Sequence, residues 1–182
     1  MQANVPASRS RTKPLQIGAL AAIARAAGTH LRHVKPHGAL YNMAAKDPAL
    51  ADAIASAVRD FDPALTLVGL AGSELPRAGE RAGLAVAHEA FVDRRYEDDG
   101  TLTPRGVAGA VIDDIDAAVA QALAIATRGE TTTRQGSTLR IRAQTICVHG
   151  DRLDAAIFAR RLREALRDGG VAIAALPTGR AA

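Results

Sequence analysis

The chain has 182 residues, of which 48% are apolar, and this length is sufficient for a single domain with a buried core. A net charge of +4 arises from 20 Arg and three Lys against 19 acidic residues, and because the basic residues are scattered, a nucleic-acid-binding surface is not expected. One cysteine excludes an internal disulfide, and no apolar run approaches the roughly 20 residues that span a bilayer. We therefore expect a cytoplasmic protein that binds neither nucleic acid nor membranes.

Helical and strand patterns alternate along the first half of the chain. Residues 1–14 are polar and basic, which predicts a flexible segment ahead of one domain at 15–182. The predicted elements that follow are a helix at 14–28 with Pro14 in its first turn, a strand at 31–35, a helix at 48–61 after Asp47, a strand at 65–70, a short helix after Ser73 to about residue 81, and a strand at 84–87.

The second half begins with about fifteen irregular residues after Glu89, and loops of this length in compact domains are usually functional or disordered. The predicted elements after it are a helix at 115–129, a small hairpin pairing 131–134 with 138–142, a strand at 144–148, a helix at 153–166 and a strand at 171–176. Five core strands separated by helices favour an α/β fold with a parallel sheet, either open or part of a barrel.

Two strand ends carry histidine beside glycine. The stretch His33-Val34-Lys35-Pro36-His37-Gly38-Ala39-Leu40-Tyr41-Asn42 leaves a strand at its proline, and Thr145-Ile146-Cys147-Val148 leads into His149-Gly150-Asp151. The chemistry of parallel α/β folds lies at the carboxyl ends of the strands, where the loops converge. We therefore expect Lys35, His37, Glu89 and His149 to share one rim.

Each of these residues has a chemical and a structural interpretation. Histidine exchanges protons near neutral pH and ligates metals, but at a strand end it is often only hydrogen-bonded. Lys35 provides a positive charge for a phosphate or an oxyanion, or else forms a salt bridge. Asp151 either belongs to the site or only caps the last helix.

The segment 91–100 is dense in charge, with Asp93 and Arg94 close to its start and Tyr96 in its middle. A solvated loop has the same composition, so charge alone does not decide its role. Phe91 and Tyr96 favour a loop that folds back onto the mouth of the sheet. The usual nucleotide-binding loops and zinc motifs are absent from the sequence, which leaves a hydrolase-like or ligase-like rim.

Four stretches, in order and with similar spacing, resemble the LamB/YcsF family, which contains the A subunit of the bacterial ATP-dependent 5-oxoprolinase. They are Gln16-Ile17-Gly18-Ala19-Leu20, Val34 to Asn42, Glu89 to Arg94 with Tyr96 to Leu102, and Gln144 to Asp151. The resemblance implies a partial (β/α) barrel of the glycoside hydrolase/deacetylase type, similar to a TIM barrel.

The resemblance also implies a hydrolase that opens the lactam of 5-oxoproline (pyroglutamate) to L-glutamate with ATP, together with subunits B and C. The catalytic residues would be Lys35 for phosphate or oxyanion charge, His37 and His149 for protons or a divalent metal, and Asp93 and Asp151 to orient them. Arg94 would grip a carboxylate or phosphate in a bidentate manner. The other expected substrate- or phosphate-binding residues are Tyr41, Asn42, Glu89, Tyr96 and Arg105.

The sequence departs from the family at its start. The family's Asp-Leu-Asn-Cys-Asp-Leu-Gly-Glu, His-Ala-Gly-Asp-Pro and Gly-Ala-His-Pro motifs are missing, so we expect an N-terminally truncated member with an open sheet edge. A complete barrel of this kind takes about 250 residues. The alternatives are a non-catalytic assembly module and a metal-dependent amidohydrolase or deacetylase acting on a carbohydrate-like substrate.

Overall fold

The computed structural model describes residues 8–151 and 153–176. The helices in this part of the chain are α1 (Ser8–Ala26), α2 (Ala39–Ala44), α3 (Pro48–Phe61), α4 (Glu74–Arg81), α5 (Ile115–Leu123) and α6 (Ala155–Asp168). The strands are β1 (His33–Val34), β2 (Thr66–Leu70), β3 (Val86–Phe91), β4 (Glu130–Thr132), β5 (Thr138–Arg140) and β6 (Thr145–Cys147). A π-helical turn at Ala124–Arg128 continues α5.

Four of the strands form a parallel sheet in the order β1-β2-β3-β6. His33 and Val34 pair with Thr66 and Leu67, while Glu89, Ala90 and Phe91 pair with Thr145, Ile146 and Cys147. Strands β4 and β5 form a separate antiparallel hairpin. The predicted α/β class, the parallel sheet and the small hairpin are therefore confirmed.

Three predicted boundaries differ from the structure. Helix α1 begins at Ser8, so Pro14 does not lie in its first turn and the expected boundary after residue 14 falls inside the helix; residues 1–7 lie outside the described part. Strand β3 runs to Phe91 instead of ending near Ala87, because pairing with β6 holds Glu89 to Phe91 extended. The fifth core strand, expected at 171–176, is not formed, and three of its six residues are alanines, which favour strands weakly.

The described residues divide into two compact units. The first comprises the chain up to Gly69, with 74–87 and Leu176, and its core joins α3 to β2 and α4 through residues such as Ile54, Leu67 and Leu75. Helix α3 matches its prediction: Asp47 accepts a hydrogen bond from the Leu50 N–H at 3.1 Å, and Pro48 occupies the first turn.

The second unit comprises residues 70–73 and 88–175. Its core packs α5 against α6, with Phe158, Leu162 and Leu166 on one face of α6, in contact with a cluster that includes Val92 and Ile112. These apolar residues recur at intervals of four, which is the helical spacing that predicted this face. The core supports the segment that follows β3.

Candidate active site

An aspartate and a histidine meet at the ends of two paired strands in the second unit. Phe91 of β3 is opposite Cys147 of β6, and Asp93 and His149 each lie two residues beyond this pair. Equal offsets from a parallel register bring both residues to the same strand edge. His149 Nδ1 lies 2.9 Å from Asp93 Oδ1 and 2.8 Å from Oδ2, and the His149 backbone N–H donates to Oδ2 at 3.1 Å.

The contacts with His149 keep Asp93 ionised. Burial of the Asp93 side chain acts to raise its pKa, but the hydrogen bonds and charge of His149 more than offset this, so the pKa lies below its ordinary value. An ionised carboxylate only accepts hydrogen bonds, so Nδ1 of His149 must carry the proton that it shares with Asp93. In neutral His149, Nε2 then has the lone pair and can accept a proton.

Two aromatic residues fix the position of His149. The rings of Phe91 and His149 stack with centroids 5.6 Å apart and an interplanar angle of 28°. The hydroxyl of Tyr96 accepts a hydrogen bond from the Phe91 N–H at 2.7 Å, and burial raises the pKa of this tyrosine. Tyr96 is therefore a neutral, buried support beneath the pair, and its expected contact with substrate stays a prediction.

Arg94 is buried beside Asp93 and organises the loop that follows. Its Nε donates to the Ala110 carbonyl at 3.3 Å, and its Nη2 donates to the Thr103 carbonyl. Burial, followed by the charge of Arg105, lowers the pKa of Arg94. With two donors bound to backbone oxygens, Arg94 ties residues 103–110 to the end of β3, and the predicted bidentate grip on a ligand stays untested.

The remaining predicted residues of this unit lie around the same loop. Arg105 Nη1 is 3.6 Å from Asp151 Oδ2, and both side chains are more than half exposed. The interpretation of Asp151 as a helix cap is wrong, because Asp154 precedes the first turn of α6. Glu89 is buried within β3, opposite Thr145.

Lys35, His37, Tyr41 and Asn42 lie in the first unit. Lys35 Nζ is 5.5 Å from the centroid of the buried Tyr41 ring, and Asn42 Nδ2 donates to the Gly38 carbonyl at 3.2 Å. The exposed His37 borders a cavity of about 650 Å³ that Lys35 also lines. Whether these residues share a rim with those of the second unit stays a prediction.

The sequence analysis missed Gln121 of α5. Its side-chain amide donates to the carbonyls of Phe91, Val92 and Arg94 at 3.0, 3.1 and 2.9 Å, and its oxygen accepts from the Thr131 hydroxyl. Gln121 thereby holds the backbone on both sides of Asp93. The signal was an amide next to the apolar helix face that includes Ala118 and Ala122.

Across residues 8–151 and 153–176, no group of three or more His, Cys, Asp or Glu side chains is placed to hold a metal ion. The same part of the chain contains no helix with the length and apolar character needed to cross a membrane. The metal role predicted for His37 and His149 stays untested.

Comparison with known proteins identifies the family. The model of the LamB/YcsF family matches residues 5–181. The chain belongs to the LamB/YcsF family. Its similarity to other members is high: it is 61% identical to the 5-oxoprolinase A subunit of Methylococcus capsulatus over 161 residues, and 54% and 50% identical to those of Brevibacillus brevis and Bacillus subtilis.

This LamB/YcsF chain spans about three fifths of the length of these curated relatives. The three alignments cover 88% of the chain but only 62 to 63% of each relative. The crystal structure of the lactam utilization protein from Thermus thermophilus is similar with a TM-score of 0.84 at 42% identity, covering 92% of this chain and 66% of that one. The likeness confirms the predicted fold class.

Proposed function

We propose that this LamB/YcsF chain is part of an ATP-dependent 5-oxoprolinase complex that opens the lactam of 5-oxoproline to L-glutamate. The relatives' names, which refer to 5-oxoprolinase and to lactam utilization, support a role in 5-oxoproline metabolism. The observation in the structure that carries the proposal is the contact of Asp93 with His149 Nδ1. This arrangement presents a proton acceptor beside the ends of two strands.

Opening a lactam requires water to add to a stable amide carbon. His149 Nε2 would take a proton from the water, and the ionised Asp93 would stabilise the imidazolium that forms. The same imidazolium would return the proton to the ring nitrogen as the carbon–nitrogen bond breaks. Water is thus divided between the new carboxyl group and the new amino group, which gives L-glutamate.

ATP would supply activation of the lactam oxygen, which makes the carbon easier to attack. The residues that this chain offers for phosphate charge are Arg105, which is half exposed, and Lys35 in the first unit. Arg94 is less suited because Nε and Nη2 already bond backbone carbonyls. A divalent metal fits poorly, because Asp93 and His149 supply two donors where zinc enzymes use three protein ligands, and we assign no step to a metal.

The test is reconstitution of the chain with subunits B and C of a relative and measurement of ATP-dependent L-glutamate release from 5-oxoproline. We expect turnover with the unmodified chain and a loss of about 100-fold or more in His149→Ala, which removes the acid–base group. His30→Ala, which changes an exposed histidine of the first unit, is the matched control and should keep full turnover. Equal turnover in His149→Ala would remove His149 from the mechanism.

The same experiment separates the two alternatives. A non-catalytic assembly module would co-purify with either of these two partners and release no glutamate under saturating 5-oxoproline and ATP. A metal-dependent amidohydrolase or deacetylase would carry stoichiometric metal when purified without chelator and would not need ATP. The partnership with subunits B and C and a cytoplasmic location belong to this proposal.

A further inference from the structure

A second cavity lies in the second unit, away from the residues that contact Asp93 and His149. Its volume is about 300 Å³, and it is lined by α5, the π-helical turn and the β4–β5 hairpin. The residues that give it polar character are Arg95, Gln121, Arg128, Glu130 and the threonines Thr131, Thr132 and Thr138. Neither Asp93 nor His149 lines it, and no role has been assigned to it above.

The charges in this cavity do not balance. Arg128 Nε is 2.9 Å from Glu130 Oε1, so these two charges offset each other. Arg95 is half-buried, and its guanidinium forms no hydrogen bond or ion pair with any residue in the part of the chain that the structure describes. A net positive charge therefore remains on the cavity wall, at a group whose planar fork suits two oxygen acceptors.

The polar groups opposite Arg95 are held in fixed positions. Thr132 and Thr138 face each other directly in the hairpin register, which places their side chains side by side on one face. Thr131 donates its hydroxyl to Gln121 at 3.0 Å, and Gln121 is itself anchored on the backbone after β3. Hydroxyl donors on a rigid hairpin can complete the coordination of an anion without a large ordering cost.

The helix geometry at this cavity is also unusual. Ala124 and Arg128, the two ends of the π-helical turn, both line the cavity, and Gly129 ends the turn at φ 68°. π-Helical turns inside helices are rare and occur frequently at functional sites. The wider turn therefore coincides with the place where a ligand would lie.

We propose that this cavity binds a small oxyanion, either a carboxylate or a phosphate, through a bidentate contact with Arg95. The threonine hydroxyls of the hairpin would donate further hydrogen bonds to the same oxygens. The inference does not depend on the catalytic role of His149, because the two sites use different side chains. It concerns the chemistry common to both anions, and the experiment separates them.

Titration calorimetry with inorganic phosphate, and separately with acetate, at constant ionic strength maintained with chloride, tests the proposal. We expect saturable binding of one or both anions and a loss of about tenfold or more in affinity in Arg95→Gln, which removes the fork. Arg140→Gln, which changes an exposed arginine on the same hairpin, is the matched control and should bind as the unmodified chain does.

Each outcome decides the question. Binding of phosphate alone, of acetate alone or of both, with loss in Arg95→Gln, supports the site and identifies its anion. Absence of saturable binding to the unmodified chain, or equal affinity in Arg95→Gln, overturns it. Should Arg95→Gln fail to fold, Arg95→Lys keeps the charge and loses the fork, and unchanged affinity in that variant would equally contradict the bidentate contact.

Discussion

At the scale of single residues, Asp93 and His149 act as one unit. Asp93 accepts hydrogen bonds from both the ring and the backbone of His149, and the ring of Phe91 stacks on the imidazole. The side chain of His149 is 23% exposed while that of Asp93 is 4% exposed. The pair therefore combines a buried charge that fixes the imidazole with an imidazole edge that a small molecule can reach.

Replacing Asp93 with Asn tests the charge without changing the size of the side chain. An amide lacks the negative charge that Nδ1–H bonds, and hydrogen bonds to charged groups contribute about 1.5–3 kcal/mol each. We expect the free energy of unfolding at neutral pH to fall by about that amount, measured by urea denaturation. Asp60→Asn, at an exposed position in α3, should change it by less than about 0.5 kcal/mol.

The Asp93→Asn effect should also depend on pH. The pKa of Asp93 is lower in the folded chain than its unfolded value of about 3.9, so the native state binds this proton less readily than the unfolded state does. The stabilisation is therefore present above about pH 4 and is lost as the pH falls through the folded pKa. A difference between wild type and Asp93→Asn that stays constant down to about pH 2 would contradict this account.

At the scale of elements, the segment after β3 folds through backbone pairing of its own. Arg94 bridges to Val111 and Tyr96 bridges to Leu102, both in antiparallel fashion. Glu97 binds Arg134 of the hairpin at 2.8 Å, and this contact, followed by others that include Gln135, lowers the pKa of Glu97 to about 2. A segment that sequence patterns left as an irregular loop is thus fastened at both ends.

Helix α4 packs closely on the sheet at Gly79. A Cβ atom added to Gly79 would lie 2.6 Å from Val86 Cγ1 and 3.1 Å from Leu67 Cδ2. Valine is stiff at χ1, so this clash is relieved only by a shift of helix or strand. Overpacking of this kind costs about 1–3 kcal/mol, which exceeds the gain of up to about 1 kcal/mol from the higher helix propensity of alanine.

We therefore expect Gly79→Ala to lower the free energy of unfolding by about 1 kcal/mol, measured by urea denaturation. Gly106→Ala is the matched control, because no atom lies within 4 Å of its added Cβ. That change should be neutral or stabilise the chain slightly by restricting the unfolded state. Equal stability of Gly79→Ala and wild type would show that Val86 yields without cost.

At the scale of the whole molecule, the sheet order leaves β1 with one strand neighbour in the described part of the chain. Helix α1, in the same unit, exposes Leu20 by 56% and Ile23 by 66%, on adjacent positions of one face. Unpaired strand edges and exposed apolar patches both favour association with other chains.

We expect the isolated chain to self-associate with increasing concentration, measured by sedimentation velocity. The double substitution Leu20→Lys with Ile23→Lys should weaken the association, because it places two charges on the apolar face. Met43→Lys, at another exposed apolar position of the same unit, is the control and should have a smaller effect. A sedimentation coefficient that is independent of concentration would show that this face is not sticky.

Much of the secondary structure could be predicted because its signals are local. Asp47-Pro48 identified the start of α3, and alternating residues around Gly136 identified the hairpin. The residues at 171–176 were misread because their apolar run says nothing about whether a strand neighbour is available. The role of Gln121 could not be predicted, because its partners lie 27 to 30 residues away in the sequence.

The sequence by itself determined the alternation of helices and strands, the family, and the placement of His149 just after a strand, because periodicity, turn residues and motifs are properties of neighbouring positions. Only the tertiary structure decided that Asp93, 56 residues away, is the carboxylate that orients His149, and that Arg94 is buried on backbone carbonyls. Those contacts depend on strand register and burial, which the packing of distant segments sets.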